Sequence, residues 1–492
     1  MIYFADLHLH SRFSRATSRD CNLMELARWA SLKGIRVLAT GDFTHPEWSR
    51  EIRESLEPTE DGLFRLKSEH VPESEPVAGG FSPADVRFML NVEISSIYKK
   101  RGATRKVHNL VFMPDLDAMD RFNARLDRIG NIKSDGRPIL GLDSRDLFEI
   151  ALESSADSFL VPAHIWTPWF SVLGSRSGFD SLEECFEDLT GHIFALETGL
   201  SSDPAMNHRV GSLDRYTLIS NSDTHSPANL GREANVFEGR PGYVAIREAI
   251  RAGGGKIRVA STASSPLESI GGVMFENEPS RGSGEPAGER AAAEGREGRG
   301  FLGTIEFFPE EGKYHLDGHR KCSMRLDPHE TEKLDGRCPV CGKTVTVGVM
   351  NRVMELADRE TAARPAHAAP FWSTIPLAEI VGQALGVGPK SKKVALLYRE
   401  LLKHIGPELM ILWARPIEEI ARHAPGIIVE GISRVRKGQV SIQAGFDGEY
   451  GTVRLFTADE RDLFQGQATW MPVERLGPRE RPRQTRTRRR KK

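Results

Sequence analysis

Cysteine is scarce: five in 492 residues, too few and too dispersed for a disulfide framework. No run of about 18 apolar residues occurs, so no membrane-spanning helix is expected. Neither sign of charge dominates. The 67 Lys and Arg stand against 68 Asp and Glu, for a formal net charge of −1, which excludes a uniformly basic or acidic chain. There is no internal repeat. The N-terminus enters a strand pattern at once, without a basic-then-apolar leader. Together these features predict a protein of the reducing cytoplasm, associated with the nucleoid if it binds nucleic acid, with no membrane partner. The length is too great for one ordinary core, and two or three domains are expected.

What is present is alternation. From residue 1 to about 275, apolar strand-like runs alternate with amphipathic helical ones such as "LMELARWASLKG", which ends at Gly34, a C-cap residue. The strand-like runs are "IYFADLHLH", "IRVLATGD", "FMLNVEIS", "KVHNLVFMP", "SFLVPAHIW", "HIFALETG" and "YTLISNSDTH". This is the pattern of an α/β barrel or doubly wound sheet. The runs carry His8 and His10; Asp42, with His45 just beyond; Glu93; His108; His164; Glu197; and Asp223 and His225. Most stand near a run's C-terminal end, where catalytic groups gather in α/β barrels. Buried unpaired charge is costly, so so many strands ending this way points to a ring of imidazoles and carboxylates that holds several divalent metals. In the first run, Asp6, His8 and His10 alternate and would share one strand face. Such donors suit Zn, Mn or Fe. Clustered divalent metals neutralise phosphoester oxygens, make hydroxide available near neutral pH and stabilise the leaving oxygen.

Residues 276–300, "ENEPSRGSGEPAGERAAAEGREGRG", lose all apolar periodicity and read as a disordered linker. Beyond it, His319-x2-Cys322-x15-Cys338-x2-Cys341 has the spacing of a closed, tetrahedral structural zinc site, within a module over 301–360. His315, in "YHLDGH", is the alternative to His319. Cys21 and Cys185 are left over and read as buried thiols. Residues 361–475 mix helices such as "SKKVALLYRELLKHIG" with strands such as "QVSIQAGF" and "GTVRLFTA". Residues 476–492 close the chain as a basic, disordered tail. Its last 14 residues hold nine Lys and Arg against one Glu, which would attract phosphates in a salt-dependent way.

The series "DLHLH", "GDFTH", "VE", "VHNL", "PAHIW" and "SDTH" resembles the motifs of the polymerase and histidinol phosphatase (PHP) superfamily. That resemblance implies a distorted (β/α)7 barrel with up to three metals (Zn, Mn or Mg) at its C-terminal mouth. Carried over, His8, His10 and Asp223 would hold one metal. Glu93 would bridge to a second held by His108 and His164. His225, with Asp42, His45 or both, would complete a third position. The superfamily usually reads Thr-Asp-His where this chain has Asp42-Phe43-Thr44-His45, so the ligand there is left open between Asp42 and His45. Asp6 is assigned to orienting a ligating histidine rather than to ligation, and Glu197 to support behind a ligand or to a strand-end role rather than to ligation.

Barrel, "YHLDGHRKC…CPVCGK", "TVGVMNRVMELADR", "ALGVGPKSKKV" and "GFDGEYG", in that order, resemble the endonuclease Q family over about residues 1–275 and 301–475. The fold implied is α/β: a PHP-type barrel, a small zinc-ribbon-like module and a mixed α/β C-terminal DNA-binding domain. The activity implied is metal-dependent nicking of DNA 5′ to uracil, hypoxanthine, xanthine or an abasic site, leaving a 3′-hydroxyl and a 5′-phosphate. Asp223, Glu93 and His8 would be catalytic, with one structural zinc beside the barrel metals. DNA contacts are expected from the basic loop Lys99, Lys100, Arg101, Arg105 and Lys106, from Lys390 at a helix start, and from Trp166, Trp169 and Phe170, whose rings would stack on a base. Asp447 and Glu449 in the Gly-rich turn are further polar candidates. A small-molecule phosphatase and an inactive DNA-binding scaffold are the competing readings.

Overall fold

The computed structural model describes residues 1–254 and 300–467. The expected linker, except Gly300, and the basic tail lie outside the described residues. No described helix is long and apolar enough to cross a membrane.

Strand β1 (Ile2–Asp6) is buried along its whole length. The helix Leu23–Lys33 follows it. Its N-terminus is capped by the Asn22 side chain, which accepts from the Glu25 amide, and Gly34 closes it at φ 87°. The chain returns as β2 (Ile35–Ala39), parallel to β1. After the hairpin β3 (Leu56–Pro58) and β4 (Phe64–Leu66) comes β5 (Arg87–Met89), parallel to β2. Next come β6 (Asn91–Lys100) and β7 (Ala103–Phe112), an antiparallel pair. β8 (Ile139–Leu140) lies on β6, and β9 (Phe159–Pro162) lies antiparallel on β7. β10 (Ala195–Glu197) and β11 (Thr217–Ile219) run parallel. β12 (Ala234–Glu238) is antiparallel to β1 on its free side.

These pieces close into a circuit. The Ile165 amide bonds to the Glu197 carbonyl at 3.1 Å, joining β9 to β10, and the His10 amide bonds to the Thr224 carbonyl at 2.9 Å, joining β11 to β1. Alternate residues face inward, and Tyr3, Val37, Met89, Leu110, Val161, Ala195, Ile219 and Phe237 pack together from eight different strands into one filled interior. Their opposite faces, such as Phe4 and Leu38, pack with the surrounding helices.

The βα alternation leads one to expect parallel neighbours throughout, and here the fold departs from it. "KKRGATRK" is no connection to a helix. It is the tip of the β6–β7 hairpin, with Arg101 at φ 49° and Gly102 at φ 76°. Two successive positive φ values are what a two-residue hairpin turn demands.

Beyond residue 299 the chain rejoins the same sheet. β13 (Phe301–Glu306) pairs antiparallel with β12, so residues expected to head the zinc module complete the main sheet. Within the module, β14 (Asp317–His319) and β15 (Met324–Leu326) form a hairpin. β16 (Phe371–Ser373) then adds parallel to β13, and β17 (Ser441–Gln443) pairs with β18 (Thr452–Arg454). The C-terminal helices Leu377–Leu385, Lys392–His404 and Gly426–Arg436 share a separate core. A buried ion pair bolts it to the main body: Lys33 Nζ lies 2.7 Å from Glu408, which also accepts from the Tyr398 hydroxyl at 2.6 Å. Cys21 and Cys185 are buried free thiols, each pushed up to about 12 by burial.

Glu306, at the end of β13, is fully buried and accepts from Thr304, Ser220 and Thr198 hydroxyls. Burial pushes its carboxyl up to about 8. The folded chain therefore keeps a proton that the unfolded chain releases above about pH 4.3. The stability this group contributes is complete below that value and is lost as pH rises through about 8. Melting temperature should fall between pH 6 and 9, and Glu306→Gln should flatten that fall. A variant profile parallel to the wild type would rule this out.

Candidate metal centre

The imidazoles and carboxylates of the strand ends meet at one mouth of the circuit. Three of them are aimed by backbone in the left-handed region: Asp42 after β2 (φ 48°), His164 after β9 (φ 30°) and Asp223 after β11 (φ 44°). Each such residue costs of order 1–3 kcal/mol and persists only where its surroundings impose it.

Two donor groups form. In the first, His10 Nε2 lies 3.1 Å and His8 Nε2 3.6 Å from Asp223 Oδ1. In the second, Glu93 Oε1 lies 2.6 Å from His108 Nδ1 and 3.0 Å from His164 Nε2. The β6–β7 register explains the second. His108 stands opposite Ser95, two residues from Glu93, so both project from the same face. The other oxygen of Glu93 reaches the first group, 3.3 Å from His10 Nε2 and 3.7 Å from His8 Nε2. One carboxylate thus spans both.

The fit to cations can be tested on the orphaned atoms. His8 Nε2, His10 Nε2 and Asp223 Oδ1 are buried without a hydrogen-bond partner, a costly arrangement unless something else meets them. The ring tautomers agree. His8 Nδ1 is held by Glu197 at 3.0 Å and His10 Nδ1 by Asp42 at 3.0 Å. A proton on each Nδ1 leaves each Nε2 lone pair pointing into the cluster. Each group brings three donors within 4.8 Å of one another, enough to hold a metal ion.

Charge supports the same conclusion in a different way: without a cation the surrounding carboxylates draw a proton onto each Nε2, the place a metal ion would take. Burial alone would lower the pKa of His8 and His10, but Glu197, Asp223 and Glu93 around His8, and Asp42 and Asp223 around His10, raise both well above the usual histidine value. Burial would raise the carboxyl pKa of Glu93, and His108, Arg137 and His8 outweigh it, holding it well below the usual range. Four carboxylates (Asp42, Glu93, Glu197 and Asp223) face one guanidinium, Arg137. Such a bowl attracts divalent cations and repels phosphate until they are seated.

Several expectations are corrected. Asp42 does not join a donor group. It accepts from the Ser11 amide at 2.6 Å and the Ser11 and Ser14 hydroxyls at 2.7 and 2.8 Å, besides orienting His10. His45 precedes the helix Pro46–Ser55 without a side-chain capping bond and stacks on Phe13 at 4.5 Å, off the cluster. His225 packs on His10 at 4.6 Å and bonds to the Asp223 carbonyl. No third donor group forms at this mouth among the described residues. Asp6 orients no histidine. Strand β1 ends there, and its carboxylate accepts from the Ser222 and Gly231 amides, bracing the loop of Asp223. Glu197 does orient His8, and it also accepts from Asn221 and the His164 amide, tying four strand ends together.

Arg137 was not foreseen. Its Nη1 sits 2.9 Å from Glu93 Oε2, with the side chain about 26% exposed at the mouth. Its neighbour Gly136 passes so close to Asp42 that a Cβ there would lie 2.3 Å from Oδ2.

Of the expected DNA-contact residues, Lys100 is paired with Asp143 and Glu187, and Arg101 with Glu184. Arg105 donates to the Gly178 carbonyl. Lys106 lies over the Phe170 ring and Lys99 is exposed. Trp166 is fully buried, its Nε1 donating to Asn207, so it is a core residue and not a stacking surface. Trp169 is 43% exposed. Lys390 is exposed in the turn Gly386–Ser391 before the helix Lys392–His404.

In the cysteine module, His319, Cys322, Cys338 and Cys341 come together as a four-donor group. His315 is buried elsewhere, lowered to about 4 by burial, so His319 is the histidine of the cluster.

Asp42→Asn should weaken metal uptake and any metal-dependent turnover by about 10- to 100-fold, the usual effect of removing a carboxylate behind a ligating histidine. Metal titration followed by calorimetry would measure it, and unchanged affinity would remove Asp42 from this role.

Comparison with known proteins supplies the family. Residues 376–439 match the family model described as the MJ0043 C-terminal domain. The uncharacterized protein MJ0043 of Methanocaldococcus jannaschii is 29% identical over 321 residues, 64% of this chain. The match covers 35% of that protein, so the chain spans about a third of its length. The uncharacterized protein YqxK of Bacillus subtilis is 27% identical over 466 residues, 92% of this chain and 99% of that one. The crystal structure of a lesion-specific endonuclease, PfuEndoQ of Pyrococcus furiosus, superposes with a TM-score of 0.72 at 30% identity, covering 92% of this chain and 95% of that one. The chain belongs to the endonuclease Q family. A second family structure, an endonuclease Q complex with a 27-mer duplex carrying an abasic lesion at the active site, matches at TM-score 0.71 and 30% identity over 93% and 98% of the two chains. Endonuclease Q likeness thus runs through the main body, the cysteine module and the C-terminal helices alike.

Proposed function

We propose that this chain is a divalent-metal-dependent DNA endonuclease of repair. It nicks the phosphodiester bond 5′ to a deaminated base (uracil, hypoxanthine or xanthine) or an abasic site, leaving a 3′-hydroxyl and a 5′-phosphate. The observation that carries this is Glu93, shared between two convergent donor groups, the first of which leaves His8 Nε2, His10 Nε2 and Asp223 Oδ1 buried without a hydrogen-bond partner. The duplex substrate of the related endonuclease Q complex supports the choice of polymer, and the closed strand circuit supports a PHP-type barrel.

His8, His10 and Asp223 would hold one metal, His108 and His164 a second, and Glu93 both. When bound, these cations supply the Lewis acidity and the lowered water pKa that phosphodiester hydrolysis requires. The protein's own work is positional. Glu197 and Asp42 lock the imidazoles in the ligating tautomer. Arg137, partly exposed at the mouth beside Glu93, is placed to donate to the non-bridging phosphate oxygens as a bidentate partner. Lys390 and the amides of its turn would grip the DNA backbone away from the cut. Extruding a deaminated base costs less than extruding a well-paired one, and that difference makes the lesion the preferred site. The four-donor cysteine module is assigned a structural zinc.

End-labelled duplexes with one deoxyuridine, deoxyinosine or abasic site, incubated with Mg or Mn, test the proposal. Nicking 5′ to the lesion is expected, with none on undamaged duplex. Hydrolysis of a chromogenic phosphomonoester without nicking would assign a small-molecule phosphatase instead. Binding without cleavage would assign a scaffold.

A further inference from the structure

A ligating imidazole is only as well placed as the groups behind it. In the second donor group, both histidines lean on one segment. Residues 163–181 run as a loop from β9 to the helix Leu182–Phe186 and wrap around His164 and His108. The Thr167 hydroxyl donates to the Trp169 carbonyl at 2.9 Å and accepts from His164 Nδ1 at 3.2 Å, which turns Nε2 toward Glu93 at 3.0 Å. The Phe170 ring packs on His108 with centroids 4.7 Å apart, and its carbonyl accepts from the His108 amide at 3.1 Å.

The loop is clamped from outside the strand circuit. Arg352, on the helix Val349–Leu356 that follows the cysteine module, is only 7% exposed. Its Nε donates to the Leu173 carbonyl at 3.1 Å, and its Nη2 donates to the Phe179 carbonyl at 3.0 Å and to Asp180 at 2.5 Å. Both residues bond back into the loop, the Leu173 amide to the Ile165 carbonyl at 3.0 Å and the Phe179 amide to the Val172 carbonyl at 2.7 Å. Moving the helix would strand a buried charge and two carbonyls, so helix and loop are held in one register. The other side of the helix is tied to the four-donor group. Asp317, fully buried at the start of β14, accepts from the Gly348 amide and from Asn351 Nδ2, both at 2.6 Å. Two residues on, the same strand supplies the donor His319.

We infer that Arg352 is a positioning residue that couples the cysteine-module ion to the second barrel ion. An ion on the four donors holds β14, β14 holds the helix through Asp317, and Arg352 passes that order to the loop behind His164 and His108. The first donor group stands outside this chain, since Glu197 and Asp42 orient its imidazoles. Emptying the cysteine module should therefore weaken one barrel ion and spare the other. This rests on the two-ion reading of the metal centre above, and not on the choice of DNA as substrate.

The test is calorimetric titration of the full chain with manganese, with zinc content followed by elemental analysis. Wild type should take up two manganese ions. Arg352→Met keeps the apolar stem and removes the fork. It should weaken one ion by roughly 10- to 100-fold, the range for losing support behind a ligand, and leave the other unchanged. In an Asp223→Asn background, which disables the first group, the remaining ion should be the one that Arg352→Met weakens. Cys338→Ser should weaken that same ion, and the two changes together should do no more than either alone, because both break one chain. Arg434→Met loses a comparable set of partners in the C-terminal core, the Leu455 carbonyl, Glu430 and Glu460, and should bind both ions like wild type. Should Arg352→Met fail to fold, Arg352→Lys keeps the charge and gives the same comparison with a smaller loss. Wild-type affinity for both ions, equal losses of both, or additive effects of Arg352→Met and Cys338→Ser would overturn the coupling and leave the two-ion centre standing. A wild type that takes up fewer than two manganese ions would remove the two-ion reading, and this inference with it.

Discussion

Asp223→Asn is expected to reduce nicking by more than about 10²-fold, the size of a direct electrostatic contact in the transition state, while the protein stays folded. The carboxylate lies 3.1 Å from His10 and 3.6 Å from His8. Burial would raise its pKa, but those two imidazoles pull it far below the usual carboxylate range. An amide in its place keeps the shape and loses the charge. Asparagine also tolerates the left-handed backbone at this position better than alanine does. Metal content should fall in parallel, since one of three donors becomes neutral, and circular dichroism should be unchanged. Nicking within tenfold of wild type would move the centre of the chemistry elsewhere.

Cys338→Ser, or strong chelation, should melt the cysteine module as a unit. Its own apolar core is very small, three buried residues, Leu326, Cys338 and Val345, with Cys322, Met324 and Leu334 packed against them. That is far too little to hold a fold unaided. Structural zinc in comparable modules contributes about 10–16 kcal/mol of apparent binding energy at neutral pH, so loss of a zinc bound by these four donors would be loss of the fold. Hydrogen exchange should show residues around β14 and β15 deprotected while β1 and β2 stay protected. Protection that survives chelation would mean the four donors hold no structural ion.

Much of the donor set could be anticipated because each residue ends an apolar run, and polar groups at the ends of buried strands need a reason. The cysteine spacing carried similar information. Asp42 and Asp6 were harder, because a carboxylate that orients a ligand has the same sequence signature as one that binds a metal, and only partners such as the Ser11 and Ser14 hydroxyls distinguish them. Trp166 and Trp169 share one short motif, yet one is core and the other surface, a difference no local pattern encodes. Arg137 had no signal at all. It lies in a loop without periodicity, and its importance comes from Glu93, 44 positions earlier. The β6–β7 hairpin turn, Arg101-Gly102, sits within a run of basic residues that carries the same charge signature as a solvated loop.

The way β13 is sewn beside β12 carries a practical consequence for handling the enzyme. A protease cut anywhere between Gly254 and Gly300 would sever the chain and yet leave both fragments laced together by the β12–β13 ladder and by the Lys33–Glu408 bolt. The nicked material should co-elute as a single species, whereas the first fragment made alone would present a bare, sticky strand edge and aggregate.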